Sequence, residues 1–253
     1  MDSIKLWNVR IPELSGGYER RVYVYLPECY ETEPDRHFPV MYMFDGQNIF
    51  FDADATYGKS WGMLPYLNTS GKEIIIVAVE CNNEGHCRLE EYSPIDFNYP
   101  PVGQIKGRAE IYMQWLTGTL KPFIDKTYRT SSDREHTLLC GSSMGGLMAL
   151  YGAIVYNHVF QRAACLSPSF WIDPDAVCKY IYDAEIRTDT YIYMDYGSVE
   201  MQNHEAVPTS LLKVSEALLL KNVQYTLRIV PNGVHSEASW ERQIPYFMSI
   251  LGI

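Results

Sequence analysis

The sequence predicts an α/β protein, a mostly parallel central sheet covered by helices on both faces. Three observations carry that prediction. Short apolar runs alternate with helical stretches along most of the chain, the pattern of repeated strand–helix units. Ile74 to Val79 is an unbroken apolar run, as expected of a strand buried on both faces. His136 to Cys140 reads as a strand that stops at Gly141 and gives way, within a few residues, to an apolar helix beginning at Met144.

The elements follow in order. Tyr18 to Leu26 reads as a strand, with Val22, Val24 and Leu26 on one face. Phe38 to Phe44 is a short apolar run closed by the turn signal Asp45-Gly46. Glu73 to Val79 is the buried strand. Ile105 to Tyr128 reads as helical, interrupted near Pro122. After the Met144 to Tyr156 helix comes a strand over Phe160 to Leu166, then a helix opening with Pro over Pro174 to Asp183. Thr190 to Tyr196 and Tyr225 to Val230 are the last strands. Helices follow them over about 208–220 and 236–251. In such sheets, sites lie beyond the carboxyl ends of the strands. Every candidate residue is therefore tested by whether it follows a strand.

Composition narrows the function classes. With 253 residues, no internal repeat and no linker, the chain reads as one domain over 1–253. Its 20 Tyr, 9 Phe and 5 Trp oppose disorder. The net charge of −10 opposes a general affinity for nucleic acid or anionic lipid. No apolar run approaches the roughly 20 residues of a membrane helix. The opening Met1-Asp2-Ser3-Ile4-Lys5 lacks the pattern of a secretion signal. Cys140 and Cys165 lie inside apolar runs, as buried free thiols do. Together these give a cytoplasmic expectation, in which the sequon Asn68-Thr69-Ser70 carries little weight.

Gly141-Ser142-Ser143-Met144-Gly145 matches G-x-S-x-G, and so does Gly58-Lys59-Ser60-Trp61-Gly62. Context separates them. A nucleophilic serine needs a strand, a sharp turn and a helix, so that its hydroxyl stands clear and helix amides face developing charge. Ser143 has that setting; Ser60 follows no buried strand. The alternative for Ser143 is a Gly-rich turn without chemistry.

A serine hydroxyl needs a general base, for which His is the usual choice. In nucleophiles of this strand–turn–helix type the acid and then the His follow in the chain. His158, His204 and His235 follow Ser143. His158 sits at the end of the Met144 to Tyr156 helix and points away. His235 lies in the loop after the last strand and is preferred, with His204 the alternative. For the acid, Glu200 lies just beyond the strand ending near Tyr196, whereas Asp195 lies within it. Glu200 is preferred, and Asp195 reads as a buried, hydrogen-bonded carboxylate. Two amides are needed to hold an oxyanion. They are assigned to Met144, after the nucleophile, and to Gln47, in the turn after Phe44. The alternative for the latter is a plain Asx-type turn.

As a set, these pieces resemble the Putative esterase family of α/β hydrolases, which includes esterase D, enterochelin esterases and feruloyl and acetyl-xylan esterases. The resemblance rests on Asp45-Gly46-Gln47-Asn48-Ile49-Phe50, Arg88 with Glu91-Tyr92-Ser93-Pro94, Gly141 to Gly146, Gly197-Ser198-Val199-Glu200, and Gly233-Val234-His235 with Trp240. It implies the α/β-hydrolase fold and a serine carboxylesterase with Ser143, Glu200 and His235 as triad. It strengthens Glu200, although many relatives carry Asp there. It implies an Arg88–Glu91 structural pair and Trp240 near the substrate pocket. The N-terminal domain of an enterochelin esterase and the signal of a secreted wall esterase are not matched.

The expected substrate is a small-molecule or carbohydrate ester, such as an acetyl or feruloyl ester, with no cofactor. A thioesterase or acyltransferase with the same triad, or a non-catalytic binding protein, are the alternatives. Aromatic walls could come from Trp61, Tyr92, Tyr99 and Trp171; at least one of Trp61, Trp171 and Trp240 is expected to line the pocket. Cys81 to Cys87 lacks the spacing of a zinc site, so no metal is expected. A homodimer is a prior only.

Overall fold

A computed structural model describes residues 3–203 and 205–253, with the backbone alone of Asn203. His204, the alternative base, and Met1 and Asp2 lie outside the described residues. The strands in chain order are β1 (Ile4–Arg10), β2 (Glu19–Tyr25), β3 (Val40–Met43), β4 (Ile75–Val79), β5 (Phe97–Tyr99), β6 (Gly103–Ile105), β7 (Thr137–Ser142), β8 (Arg162–Leu166), β9 (Tyr191–Gly197) and β10 (Gln224–Val230). The helices are α1 (Pro12–Ser15), α2 (Met63–Ser70), α3 (Cys87–Glu91), α4 (Ala109–Trp115), α5 (Lys121–Thr127), α6 (Met144–Val155), α7 (Pro174–Asp183), α8 (Ser198–Asn203), α9 (Ala206–Leu220), α10 (Glu237–Glu241) and α11 (Ile244–Ile250).

An eight-stranded sheet runs in the order β1-β2-β4-β3-β7-β8-β9-β10. From β4 to β10 it is parallel. Strands β1 and β2 are antiparallel to their neighbours at one edge. Strands β5 and β6 form a separate hairpin. This is the expected mostly parallel sheet with helices on both faces, the α/β-hydrolase arrangement.

Alternation along the strands explains why both faces are covered. Val40, Tyr42 and Phe44 enter one core, with Val77, Val79 and Leu139. Met41 and Met43 enter the other, with Ile76, Ala78, Leu138 and Cys140. Successive side chains point to opposite faces, so a strand with helices above and below must be apolar at every position. Helix α6 packs against β7 and β8, and all of its residues through Ile154 are buried. Its all-round apolar sequence is that of a central helix.

The structure adds short elements that the sequence reading does not assign, α1, α2, α3, α8 and the β5–β6 hairpin among them, and it departs from that reading elsewhere. Strand β1 was not expected. It is an edge strand with a half-exposed, partly polar sequence, and so carries no clean apolar run. The stretch from Ile105 starts in strand β6, and the helix begins only at Ala109. Its interruption near Pro122 is a π-helical segment at Leu116–Leu120. Pro122 follows that segment inside a helical run that continues from α4 into α5, so the π-helical turn is where the chain accommodates the missing N–H. The final helix is two, α10 and α11, and Pro245 stands in the first turn of the second. Among the described residues, no helix is long and apolar enough to cross a membrane. All six cysteines are free thiols.

Candidate active site

The parallel strands end on one edge of the sheet, and the candidate residues collect there. Ser143 follows β7 directly, with φ 57° and ψ −123°. That conformation is strained for a residue with a side chain. It is held on both sides: the Ser143 amide donates to Leu166 O at 2.9 Å, and Ser169 N donates to Ser143 O at 3.0 Å. The turn closes tightly, since a Cβ on Gly141 would lie 2.4 Å from Gly145 O. The Ser143 hydroxyl rests 3.4 Å from Ser169 Oγ, and among the described residues it makes no hydrogen bond to His235.

His235 sits in the loop between β10 and α10. Ser236 caps α10, accepting from Ser239 N, and Val234 N donates to Ser239 Oγ at 3.0 Å. The imidazole is partly exposed, and its Nδ1 lies 2.8 Å from Glu200 Oε1. Glu200 occupies the first turn of α8, immediately beyond β9. Its carboxylate is almost wholly buried. Gly233 O accepts from both Val199 N at 3.1 Å and Glu200 N at 3.4 Å. The loop of the acid and the loop of the imidazole are therefore stitched together by backbone.

Asp195 lies apart from this pair. It is buried within β9 and accepts from Tyr193 Oη at 2.8 Å. Burial pushes its carboxyl up to about 7. His158 lies past the end of α6, exposed and stacked on Tyr156. Ser60 is buried and hydrogen-bonded through its hydroxyl to Asp52 at 2.7 Å. Its amide and hydroxyl together hold the Asp52 carboxyl below the usual range.

Gln47 lies in the 3-10 turn Gly46–Asn48, entered through Asp45 in left-handed conformation. The Gln47 side chain is fixed against the end of β4: Oε1 accepts from Cys81 N at 3.2 Å, and Nε2 donates to Cys81 Sγ at 3.1 Å. A Cβ on Gly145 would lie 3.1 Å from Asp45 Oδ2, so this turn lies against the first turn of α6. Met144 opens that helix, where an amide has no intrahelical acceptor.

The expected Arg88–Glu91 pair is not formed. Arg88 binds Asp45 with two hydrogen bonds, Nε to Oδ1 at 2.6 Å and Nη2 to Oδ2 at 2.7 Å. Glu91 instead pairs with Arg20 at 2.7 Å, both buried, and accepts from Asn82 N at 2.9 Å. Each residue has a closer partner elsewhere in the fold, Asp45 from the turn after β3 and Arg20 from β2, and the bidentate fork is the stronger geometry.

The tryptophans divide. Trp61 is buried in the core against Trp240 and Phe247 and does not reach the surface. Trp171 is half-buried and packs on the Tyr196, Val207 and Leu211 cluster. Trp240 is also buried, but its ring meets His235 edge-on at 5.0 Å. Tyr92 is fully buried, and its hydroxyl accepts from Asp45 N at 3.1 Å. Tyr99 is half-buried against the same core.

Two groups were missed. Ser167, just past β8, donates to Glu200 Oε2 at 2.8 Å. Glu237 is buried in the first turn of α10, within electrostatic range of Asp45, His235 and Arg88, and burial raises its carboxyl. An acid two residues after the candidate base was the available signal for Glu237. For Ser167 it was a polar residue at a strand end.

The model of the Putative esterase family matches residues 15–248. The chain belongs to that family. This esterase is 24% identical over 201 residues to the Uncharacterized protein YbbA of Bacillus subtilis, covering 77% of this chain and 74% of that one. It is 30% identical over 169 residues to Esterase Rv1288 of Mycobacterium tuberculosis, covering 65% of this chain and a third (33%) of the relative. Among solved structures, the siderophore hydrolase EstB of Aspergillus nidulans superposes with a TM-score of 0.72 at 18% identity, over 100% of the esterase and 97% of that chain. At that identity the likeness is one of fold.

Proposed function

We propose that the chain hydrolyses a carboxylic ester through a Ser143–His235–Glu200 triad and an acyl-enzyme. The observation that carries this reading is the 2.8 Å contact between Glu200 Oε1 and His235 Nδ1. It joins α8, which follows β9, to the loop that follows the adjacent parallel strand β10, on the edge where β7 delivers Ser143. In the resting site the serine hydroxyl leans on Ser169, and such hydrogen bonds often tighten only with substrate bound.

His235 Nε2 accepts the Ser143 proton as Oγ attacks the ester carbonyl. The C=O electron pair moves onto oxygen, where the amides of Met144 and Gln47 donate to the oxyanion. Collapse re-forms the carbonyl, breaks the C–O bond to the alcohol, and takes the proton from His235 to the leaving oxygen. Water then repeats the sequence, loses its proton to His235 and releases the acid, restoring Ser143. Glu200 accepts from Nδ1–H throughout and stabilises the imidazolium. The substrate class is a small-molecule or carbohydrate ester, acetyl or feruloyl among them. The net charge of −10 favours neutral over strongly anionic esters.

Fluorophosphonate labelling, mapped by mass spectrometry, tests this without knowledge of the substrate. Labelling at Ser143 that is lost in His235→Ala is the expected result, and a panel of acetyl, butyryl and feruloyl esters then sets the acyl preference. Folded protein that takes no label at Ser143 overturns the reading.

A further inference from the structure

The hydrogen bonds behind Glu200 form a chain with a single direction. Glu200 uses Oε1 for His235, while Oε2 accepts from Ser167 Oγ at 2.8 Å. Trp240 Nε1 lies 3.1 Å from the same Ser167 Oγ. An indole N–H can only donate, and an ionised carboxylate can only accept. The one proton of Ser167 must therefore point at Glu200. The indole in turn is anchored, being buried and packed on Trp61 at 5.9 Å. Its ring also meets His235 edge-on. One residue thus touches the imidazole directly and the acid through a single hydroxyl.

Ser167 holds this place at a conformational cost. Its φ is 43°, in the left-handed region, where Gly or Asn is the favoured residue. Its amide is tied to Asp195 O at 2.8 Å, so the backbone cannot relax without leaving β9. A serine in that conformation is accounted for by what its hydroxyl does.

We infer that Ser167 and Trp240 are positioning residues, a relay in which the indole orients the Ser167 hydroxyl and the hydroxyl fixes the second oxygen of Glu200. The carboxylate then meets His235 with one oxygen in one orientation. Without the relay it is free to turn about its last bond and the imidazole loses its fixed partner. The inference rests on Ser143, Glu200 and His235 acting as a triad.

The test uses the full chain and Ser167→Ala, Ser167→Gly, Trp240→Phe and the Ser167→Ala/Trp240→Phe double variant, each checked by its melt. The readouts are the rate of fluorophosphonate labelling at Ser143 and the kcat and KM for p-nitrophenyl acetate. Loss of a hydrogen bond to a charged group predicts a fall of about 10- to 100-fold in kcat and labelling for Ser167→Ala, with KM within about twofold. Ser167→Gly should fall equally, although it relieves the backbone strain. Trp240→Phe keeps the ring and loses the donor, so it should slow the enzyme. The double variant should be no slower than Ser167→Ala alone, because the indole donor acts only through the hydroxyl. The His235 Nδ1 proton resonance, assigned by its absence in His235→Ala, should move in every relay variant, a signature independent of turnover. Wild-type rates in Ser167→Gly overturn the relay while leaving the triad standing. So does a double variant whose loss is the product of the single losses. Wild-type protein that fails to label overturns the triad, and the relay with it. Should Trp240→Phe not fold, the two Ser167 variants and the resonance decide alone.

Discussion

Gly197→Ala offers a test of how closely the segments carrying Glu200 and His235 must approach. Gly197 ends β9, three residues before Glu200, and it faces Gly233, two residues before His235. A Cβ on Gly197 would lie 2.2 Å from Gly233 O and 2.3 Å from Gly233 C. Both atoms are backbone, so no side-chain rotation relieves the overlap. Ordinary contact needs 3.4 Å or more, and the loops must therefore part by about 1 Å. Gly233 O is also the acceptor for Val199 N and Glu200 N, so parting the loops pulls the acid from the imidazole.

Misplacing a catalytic group by about 1 Å costs on the order of 100-fold in rate. Overpacking of this kind costs about 1–3 kcal/mol of stability, which a domain of this size survives. The expected result is a folded variant whose kcat/KM for p-nitrophenyl acetate, and whose fluorophosphonate labelling, fall about 100-fold. Gly233→Ala should be milder, since its Cβ meets Gly197 Cα at 2.7 Å and needs a smaller opening. A folded Gly197→Ala variant within threefold of wild type would refute the reasoning, because the contact would then have no bearing on the site.

Glu200→Gln keeps the shape of the acid and removes its charge; kcat should fall by about 1,000- to 10,000-fold, while the melt stays close to wild type. Glu91→Ala strands the buried Arg20 guanidinium and leaves Asn82 N without its acceptor. Denaturant titration should show a loss of about 3–5 kcal/mol. Asp195 titrates near 7 in the folded protein and near the ordinary carboxyl value when unfolded. The native state then holds the extra proton, so stability falls as pH rises between about 4 and 7. Asp195→Asn should remove that decline. Its melt should gain on wild type above pH 7, by at most about 4 kcal/mol, and the gain should vanish near pH 4.

Much of the fold is legible because β3, β4, β7 and β8 are apolar at consecutive positions, a direct consequence of cover on both faces. Strand β1 is not legible for the opposite reason: at the edge it needs no such run. Pro122 signalled an irregularity in its helix, and the structure has it as the π-helical turn just before the proline. For the candidate site, Ser143, Glu200 and His235 could be singled out because each closely follows a strand. The partners of those residues could not. Arg88 and Glu91 look like a pair on one short helix, yet Asp45 reaches Arg88 from a turn and Arg20 reaches Glu91 from β2, each more than forty residues away. Ser167 joins Glu200 and Trp240 across comparable distances in sequence, so no local pattern reveals it.

The two faces of the sheet carry different halves of the site. The Asp45 turn rests on the core that contains Phe44, Tyr92 and Tyr112, whose rings meet edge-on or tilted within 6 Å. Tyr92 Oη receives the Asp45 amide, and Arg88 grips its carboxylate from α3. The Glu200–His235 pair rests on the other core, through Trp240, Trp61 and Phe247. Close-packed cores transmit small displacements rather than absorb them. A change of volume at Trp61 therefore reaches the imidazole and the acid, whereas one at Tyr112 reaches the turn that carries Gln47. The sheet between them holds the two halves in register at β7, where Ser143 emerges between the two supports.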